Sequence, residues 1–276
     1  MALRSLPKIS VITPSYNQGK FLEKTILSVI NQNYPNLEYI IIDGNSTDQS
    51  PKIINRYKKY LSYWQIKKDH GQSDAINIGF KHATGNIFCW LNSDDIFLPH
   101  SLNLVGNFFS QYPHLNWLTS QSIIINESDE IIQTGLHTGK VPSLIRLGLY
   151  HKKALGFIPQ EGTFWTKSLW KKAGDNLPDH QYCMDYQLWR RFAKYSPLVT
   201  LDAPLAAFRH HSLQKTCSIE SYYREIHPLL PYVPKFTGII GRIVHPLLRR
   251  LYPRIAFNKT KFSWEYHPGL SNYQIK

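Results

Sequence analysis

Four short apolar runs within the first hundred residues constrain the fold more than any other feature of the chain. They are residues 9–13 (ISVIT), 39–43 (YIIID), 63–66 (YWQI, the weakest) and 86–92 (NIFCWLN). The stronger runs lack the apolar–polar alternation of a strand with one wet face, so they read as strands buried on both sides. Between them the spacing is helical. Leu22, Ile26, Val29 and Ile30 recur at i, i+4, i+7 and i+8; Ile53, Ile54, Tyr57 and Leu61 form a second stripe; residues 73–83 form a third helix with Asp74 near its start. Buried strands alternating with amphipathic helices predict an α/β fold, a mostly parallel sheet flanked by helices. A hydrophobic content of 42% is enough for such a core.

In open α/β sheets, ligands bind beyond the carboxyl ends of the strands. Those ends read Thr13-Pro14-Ser15-Tyr16-Asn17, Asp43-Gly44-Asn45 and Asn92-Ser93-Asp94-Asp95, so polar and acidic groups converge on one edge. The loop 13–19 (TPSYNQG) holds one glycine and matches no Gly-rich phosphate cradle. A diphosphate there would need a metal or basic side chains. Asp94 and Asp95 either close a turn and lead into a helix beginning near Pro99, or supply carboxylate to Mg²⁺ or Mn²⁺, which fill their remaining positions with water and phosphate oxygens. Asp48 is explained by turn and capping chemistry. Asp43, at a strand end, can accept hydrogen bonds from a base or ribose.

Past residue 115 the rhythm changes. Residues 115–126 (LNWLTSQSIIIN) read as two short strands, 185–194 as a helix with Leu188, Trp189 and Phe192 as its stripe, and 204–212 as extended. Three well-separated cysteines with no metal-ligand spacing point to a reduced, cytoplasmic protein, and the start MALRSLPKIS contains no run of signal-peptide length. The 32 Lys+Arg exceed the 19 Asp+Glu, a net charge of +13. Much of the excess falls between Ile226 and Trp264, where there is no acid. The predicted organisation is therefore a catalytic domain at 1–216 and a basic, aromatic-rich helical extension at 217–276. Its stretch 233–261 could lie on an anionic membrane surface, making the protein peripheral at the inner face of the membrane, or pack on the body with a solvated basic face.

The stretches TPSYNQ, IIIDGNSTDQS, DHGQSDAINIGF, ATGNIFCWLNSDD, CMDYQLWRRFA and FRHHSLQKT occur in this order. Together, over about residues 8–216, they resemble the family 2 glycosyltransferases, inverting enzymes with the Rossmann-like GT-A fold. The resemblance implies transfer of a sugar from a nucleotide sugar, UDP being the commonest nucleotide, to an acceptor hydroxyl, with Mn²⁺ or Mg²⁺. It implies that Thr13, Pro14 and Tyr16 line the nucleotide pocket, that Asp43 bonds the base, and that Asp69, Gln72 and Asp74 follow the nucleotide-sugar cleft. Asn92-Ser93-Asp94 stands where the family has its D-x-D motif, with Asn92 for the first acid and Asp94 as principal metal ligand. Asp95 is a supporting acid or a sugar contact. His211 takes the place of a further metal ligand, with His210 as its neighbour and competitor. Asp185 takes the place of the general base, although Met184 stands where most members have Glu. Asp185 also suits a helix cap, and the two roles are compatible. Gln160 and Glu161 would contact acceptor or donor sugar. The acceptor would be a saccharide or a lipid-linked molecule of bacterial-type surface polysaccharide or glycolipid synthesis.

Two other functions fit parts of the chain. A sugar-phosphate nucleotidyltransferase shares this sheet and metal chemistry, but would need a glycine-rich basic loop after the first strand. A basic nucleic-acid-binding protein fits the charge, but would need basic and aromatic residues on one face. The acids at the strand ends oppose that, so no nucleic-acid partner is expected.

Overall fold

The protein is described from a computed structural model, over residues 5–135, 139–212, 214–215, 218–230, 252–261 and 263–268. The first half follows the expected alternation: β1 (Ile9–Ser15), α1 (Leu22–Ile30), β2 (Leu37–Asp43), α2 (Ser50–Tyr57), β3 (Tyr63–Ile66), α3 (Gln72–His82) and β4 (Ile87–Trp90). Then come β5 (Ile96–Phe97), α4 (Ser101–Gln111), β6 (Trp117–Ile125), β7 (Ile131–Thr134), α5 (Pro142–Leu147), β8 (Phe164–Thr166), α6 (Lys167–Lys172), α7 (Met184–Phe192) and β9 (Val199–Arg209). The described chain ends with α8 (Ile219–Ile226), β10 (Arg254–Asn258) and β11 (Ser263–His267).

One sheet runs through the molecule in the order β11-β10-β9-β6-β8-β4-β1-β2-β3, with β5 on β9 and β7 on β6. The pairs β1–β2, β1–β4 and β2–β3 are parallel, as are β6–β9 and β9–β10, while β8 runs antiparallel to both β4 and β6. The unalternated strands are explained by burial on two sides. Side chains of successive residues point to opposite faces: Ile9, Val11, Tyr39 and Ile41 pack with α1, α2 and α4, while Ile12, Ile40 and Ile42 pack with α3, α6 and α7. Gly79 lets α3 approach β1 closely, since a Cβ there would lie 2.4 Å from Ile12 Cγ2. The expected stripe of α7 is buried, and Trp189 sits among the rings of Trp90, Trp117 and Trp165 at 5.9, 5.7 and 5.8 Å. This anchors the helix that carries Asp185.

Two expectations change. Residues 115–126 hold one strand, β6, which stays continuous because β9 pairs along it with shifts of register near Gln121. The extension past residue 217 is helical only in part among the described residues. After α8 the chain returns as a hairpin, and β10 joins the central sheet through Arg254↔Thr200 and Ile255↔Leu201. Ile255 is fully buried there, so the hairpin gains core contacts that a separate appendage would lack. Most of the stretch 233–261 expected to meet a membrane lies outside the described residues. Among those described, no helix is long and apolar enough to cross a membrane.

Candidate active site

The expected ligand edge is built mainly from the loops after β1, β2, β3 and β4. The first two are clasped together: Asn17 N donates to Ser46 Oγ (2.8 Å) and Thr47 N to Asn17 Oδ1 (2.9 Å). Asn17 and Asn45 adopt left-handed backbone, φ 51° and 68°, a conformation Asn tolerates better than most residues. Asp43 holds this clasp. Its fully buried carboxylate accepts Ser15 Oγ (2.9 Å), Ser46 Oγ (2.7 Å) and Ser46 N (2.8 Å). These bonds engage both of its oxygens within the protein. Thr13 is buried too, hydrogen-bonded to Tyr39 Oη at 3.1 Å, and Pro14 is buried beside it. The cleft is offered instead by Tyr16, 64% exposed, whose ring borders Gly44 together with Asp69. Burial raises the Asp69 carboxyl, with the charges of Asp74 and Asp43 adding to it against a hydrogen bond from Gly71 N. Asp74, in the first turn of α3, accepts His70 N at 3.1 Å.

From α3 a polar chain crosses to the β4 loop. Gln72 Nε2 donates to Asn92 Oδ1 (2.8 Å), Asn92 Nδ2 to Gln160 Oε1 (3.3 Å), and Gln160 Nε2 to the Trp90 carbonyl (2.7 Å). Asn92 thus organises Gln72 and Gln160, a use its amide allows and a carboxylate would not. Ser93 is buried behind it.

The two aspartates that follow are unlike each other. Asp94 Oδ2 lies 3.0 Å from Nε2 of His211, whose side chain is 1% exposed. His210 is exposed, so of the two histidines His211 is the one brought to the carboxylate. Asp95 is buried, with Oδ1 accepting Arg209 N (2.9 Å) and Oδ2 accepting Asn92 Nδ2 (3.3 Å). Burial, then the charges of Asp94 and Glu161, push its carboxyl well up. Of its two expected roles, this placement fits the supporting one.

Arg209 reinforces the turn. Its buried guanidinium donates to the carbonyls of Asp94 (2.7 Å) and Asn126 (2.9 Å) and pairs with Asp129 (2.5 Å). The end of β9 is thereby fixed on the aspartate turn, and His211 follows two residues later. The available signal was a cation closing the apolar run 204–208 (PLAAF) at the end of β9. Lys215 was also missed as an individual residue: Nζ donates to Gln72 Oε1 at 3.1 Å, placing a cation on the chain that leads to Asn92. The missing glycine cradle already called for such a basic side chain.

A metal ion is implied by the resemblance, and the donor set fits one. The Asp94 carboxylate oxygen and the His211 imidazole nitrogen stand 3.0 Å apart, two donors of kinds that divalent ions take. A mixed imidazole and carboxylate set suits a transition ion such as Mn²⁺ better than Mg²⁺.

Asp185 lies in the first turn of α7, one residue after its start, with Cys183 in the capping position. Tyr186 N donates to its Oδ1 at 2.7 Å. A helix N-terminus stabilises a carboxylate, but here burial outweighs it and, with the charge of Glu225, raises Asp185 to about 6. Burial, with a smaller push from Asp185, raises Glu161 to about 7. The entrance to α7 is strapped from α8. The Glu225 carboxylate accepts the successive backbone N–H groups of Gln181 (2.7 Å), Tyr182 (2.8 Å) and Cys183 (2.8 Å). His180, Cys183 and Glu225 offer ligand-type atoms within 4.8 Å of one another, yet the carboxylate is already engaged by these amides. Charge-assisted bonds of this kind are worth more than neutral ones. Glu225→Ala should therefore destabilise the protein by about 2–4 kcal/mol, measured by chemical denaturation, with transfer activity falling as the α7 entrance loosens.

Comparisons with known proteins agree with this geometry. The family model described as glycosyl transferase family 2 matches residues 10–171. An uncharacterized glycosyltransferase of Rickettsia typhi is 28% identical over 217 residues, covering 76% of this chain and 66% of that protein, just under two thirds of its length. One from Mycobacterium tuberculosis is 29% identical over 208 residues, covering 75% of this chain and 76% of the relative. Among solved structures, S. aureus TarS 1–349 in complex with UDP-GlcNAc aligns with TM-score 0.64 at 17% identity, over 87% of this chain and 72% of that one. The mannosyltransferase PcManGT from Pyrobaculum calidifontis, in complex with GDP-Man and Mn²⁺, aligns with TM-score 0.60 at 17% identity, over 90% and 71%. At such identities the likeness establishes the fold, and the expected GT-A architecture is borne out.

Proposed function

The chain belongs to glycosyl transferase family 2, and from that premise we propose that it transfers a sugar, with inversion, from a nucleotide sugar to an acceptor hydroxyl. The observation that carries this reading is the Asp94–His211 pair at the ligand edge, 3.0 Å apart and anchored through Arg209. Tyr16 and Asp69 offer a stacking face and a hydrogen-bond acceptor to a nucleobase and ribose, and Lys215 a cation to phosphate. Asp94 and His211 would hold the metal, with Mn²⁺ favoured; when bound, it supplies positive charge against the departing diphosphate.

The chain's own part in the chemistry is positioning and proton transfer. Asp185 accepts the proton of the acceptor hydroxyl as its oxygen bonds to the anomeric carbon and the bond to the diphosphate breaks. The rigid seat of α7 on the tryptophan cluster holds that carboxylate in place, which is where orientation contributes to rate. Gln160 and Glu161 line the sugar side of the cleft. UDP-sugars are the first donors to test, and the acceptor class is a saccharide or lipid-linked molecule of surface polysaccharide or glycolipid synthesis. A lipid-linked acceptor would bring the basic stretch 233–261 to an anionic membrane.

A panel of UDP-, GDP- and dTDP-sugars, each with Mn²⁺ or Mg²⁺, tests the reading by thermal shift and donor hydrolysis. A donor present at about 100 times its dissociation constant should stabilise the protein by about 2.7 kcal/mol, several degrees in melting temperature, and be slowly hydrolysed. A panel without a shift or turnover for any donor would refute the assignment.

A further inference from the structure

One surface of the molecule combines exposed apolar side chains with cations and carries no acid. Between Glu130 and Glu161 the sequence holds neither Asp nor Glu. Over residues 139–160 the exposed positions are Ser143, Arg146, Leu147, Lys152, Lys153 and Phe157. Three of these are cations, and Leu147 and Phe157 are 53% and 45% exposed. A single exposed apolar side chain needs no explanation. Two in one structural unit, accompanied by cations alone, have the composition of an interfacial membrane contact.

The unit is compact. Helix α5 ends at Leu147, and the loop after it closes on itself, with Leu155 N donating to the Leu149 carbonyl (3.0 Å) and Gly156 N to the His151 carbonyl (3.1 Å). Lys152 and Lys153 lie within that closed loop, while Leu147 and Phe157 each stand two residues outside the Leu149–Leu155 closure. Two helices hold the unit. From α7, Tyr186 Oη donates to the Gly148 carbonyl (3.0 Å) and Arg190 Nε to the Arg146 carbonyl (3.1 Å). From α8, Tyr223 Oη accepts Lys153 N (2.9 Å), and the Tyr222 ring packs edge-on against Phe157 with centroids 5.5 Å apart. The exposed side chains are thus carried on a fixed support.

We propose that α5 and the loop 148–157 dock on an anionic lipid bilayer, with Leu147 and Phe157 entering the interface and Arg146, Lys152 and Lys153 meeting the headgroups. Charge complementarity selects this occupant, since cations without neighbouring acids attract anionic headgroups. The bilayer also takes up the two apolar side chains, which a soluble polyanion would leave in water. This surface belongs to the body of the protein and is separate from the basic stretch 233–261. Phe157 is three residues from Gln160, a span of at most about 11 Å, and Gln160 is hydrogen-bonded to Asn92 in the cleft. Docking through this unit therefore brings the Gln160 side of the cleft close to the bilayer. The docking does not depend on the transferase reading, and its test contains no donor.

The full chain is co-sedimented with vesicles of three parts phosphatidylcholine to one part phosphatidylglycerol, and with vesicles of phosphatidylcholine alone. The wild type should bind the anionic vesicles at least about 10-fold more tightly than the neutral ones. Arg146→Gln combined with Lys152→Gln should weaken binding to the anionic vesicles about 10- to 30-fold, at about 5-fold for each cation near the surface. Leu147→Ser should weaken it about 3- to 10-fold, because less apolar area is buried. Melting temperatures should hold in both variants, since the altered side chains are exposed, and Leu147→Gln replaces Leu147→Ser if the latter melts early. A wild type that binds neither vesicle overturns the proposal. So do variants that bind as the wild type does, which would assign any vesicle binding to another part of the chain. Loss in the double Gln variant without loss in the Leu147 variant also overturns it, because that pattern belongs to a purely ionic contact such as a soluble polyanion makes.

Discussion

Asp185→Asn is expected to lower sugar transfer by about 10²- to 10⁴-fold, the range supplied by a positioned general base, while making the protein more stable at neutral pH. The two effects have one origin. In the unfolded chain the Asp185 carboxyl ionises near its ordinary 3.8, whereas in the folded protein burial and Glu225 raise it to about 6. Between those values the folded state binds more protons than the unfolded one, so stability falls as pH rises across the window. At pH 7 the full penalty, about 3 kcal/mol, is present in the wild type and absent in the Asn variant. Wild-type kcat/KM should accordingly rise with pH to a plateau above about 6, as the base loses its proton, and the variant should lose that limb. Rate profiles from pH 5 to 8, with denaturation midpoints on the same samples, check both effects. A variant that is destabilised, or whose residual rate keeps the same acid limb, would remove Asp185 from the role of base.

What was legible in the sequence follows the range of the forces involved. The parallel strands β1, β2 and β4 are readable because burial on both faces leaves continuous apolar runs, and α7 because its stripe is local. Strand parity also carries information that the motif alone hides. Thr13 shares a face with Ile9 and Val11, which are core residues, so its hydroxyl meets Tyr39 inside the protein. The Asp94–His211 pair is half local: Asp94 ends a predicted strand, but its meeting with His211, 117 residues away, depends on β9 and on Arg209. Glu225 of α8 has no local signature, because its role arises from hydrogen bonds to the distant segment that leads into α7. The β10–β11 hairpin was hidden for a similar reason. Its arginine-bearing strand reads as a basic tail until its pairing with β9 is known.

Asp94→Ala should have the other large effect, a fall in transfer of about 10³-fold together with loss of the Mn²⁺-dependent part of donor binding. Mutating single groups that stabilise developing charge typically costs about 10²–10³ in rate, and here the substitution also leaves the proposed ion with one protein ligand. Asp95 cannot take over, because its two oxygens are committed to Arg209 N and Asn92 inside the turn. His211→Ala should act in the same direction but less strongly, since it leaves the charged ligand in place. Titration with Mn²⁺ in the presence of the selected donor, followed by thermal shift and turnover with and without chelator, separates the cases. The wild type should lose most of its activity on chelation, whereas Asp94→Ala should be nearly indifferent to both metal and chelator. If Asp94→Ala kept full metal-dependent donor binding, the asymmetry between the two aspartates would have to be read the other way.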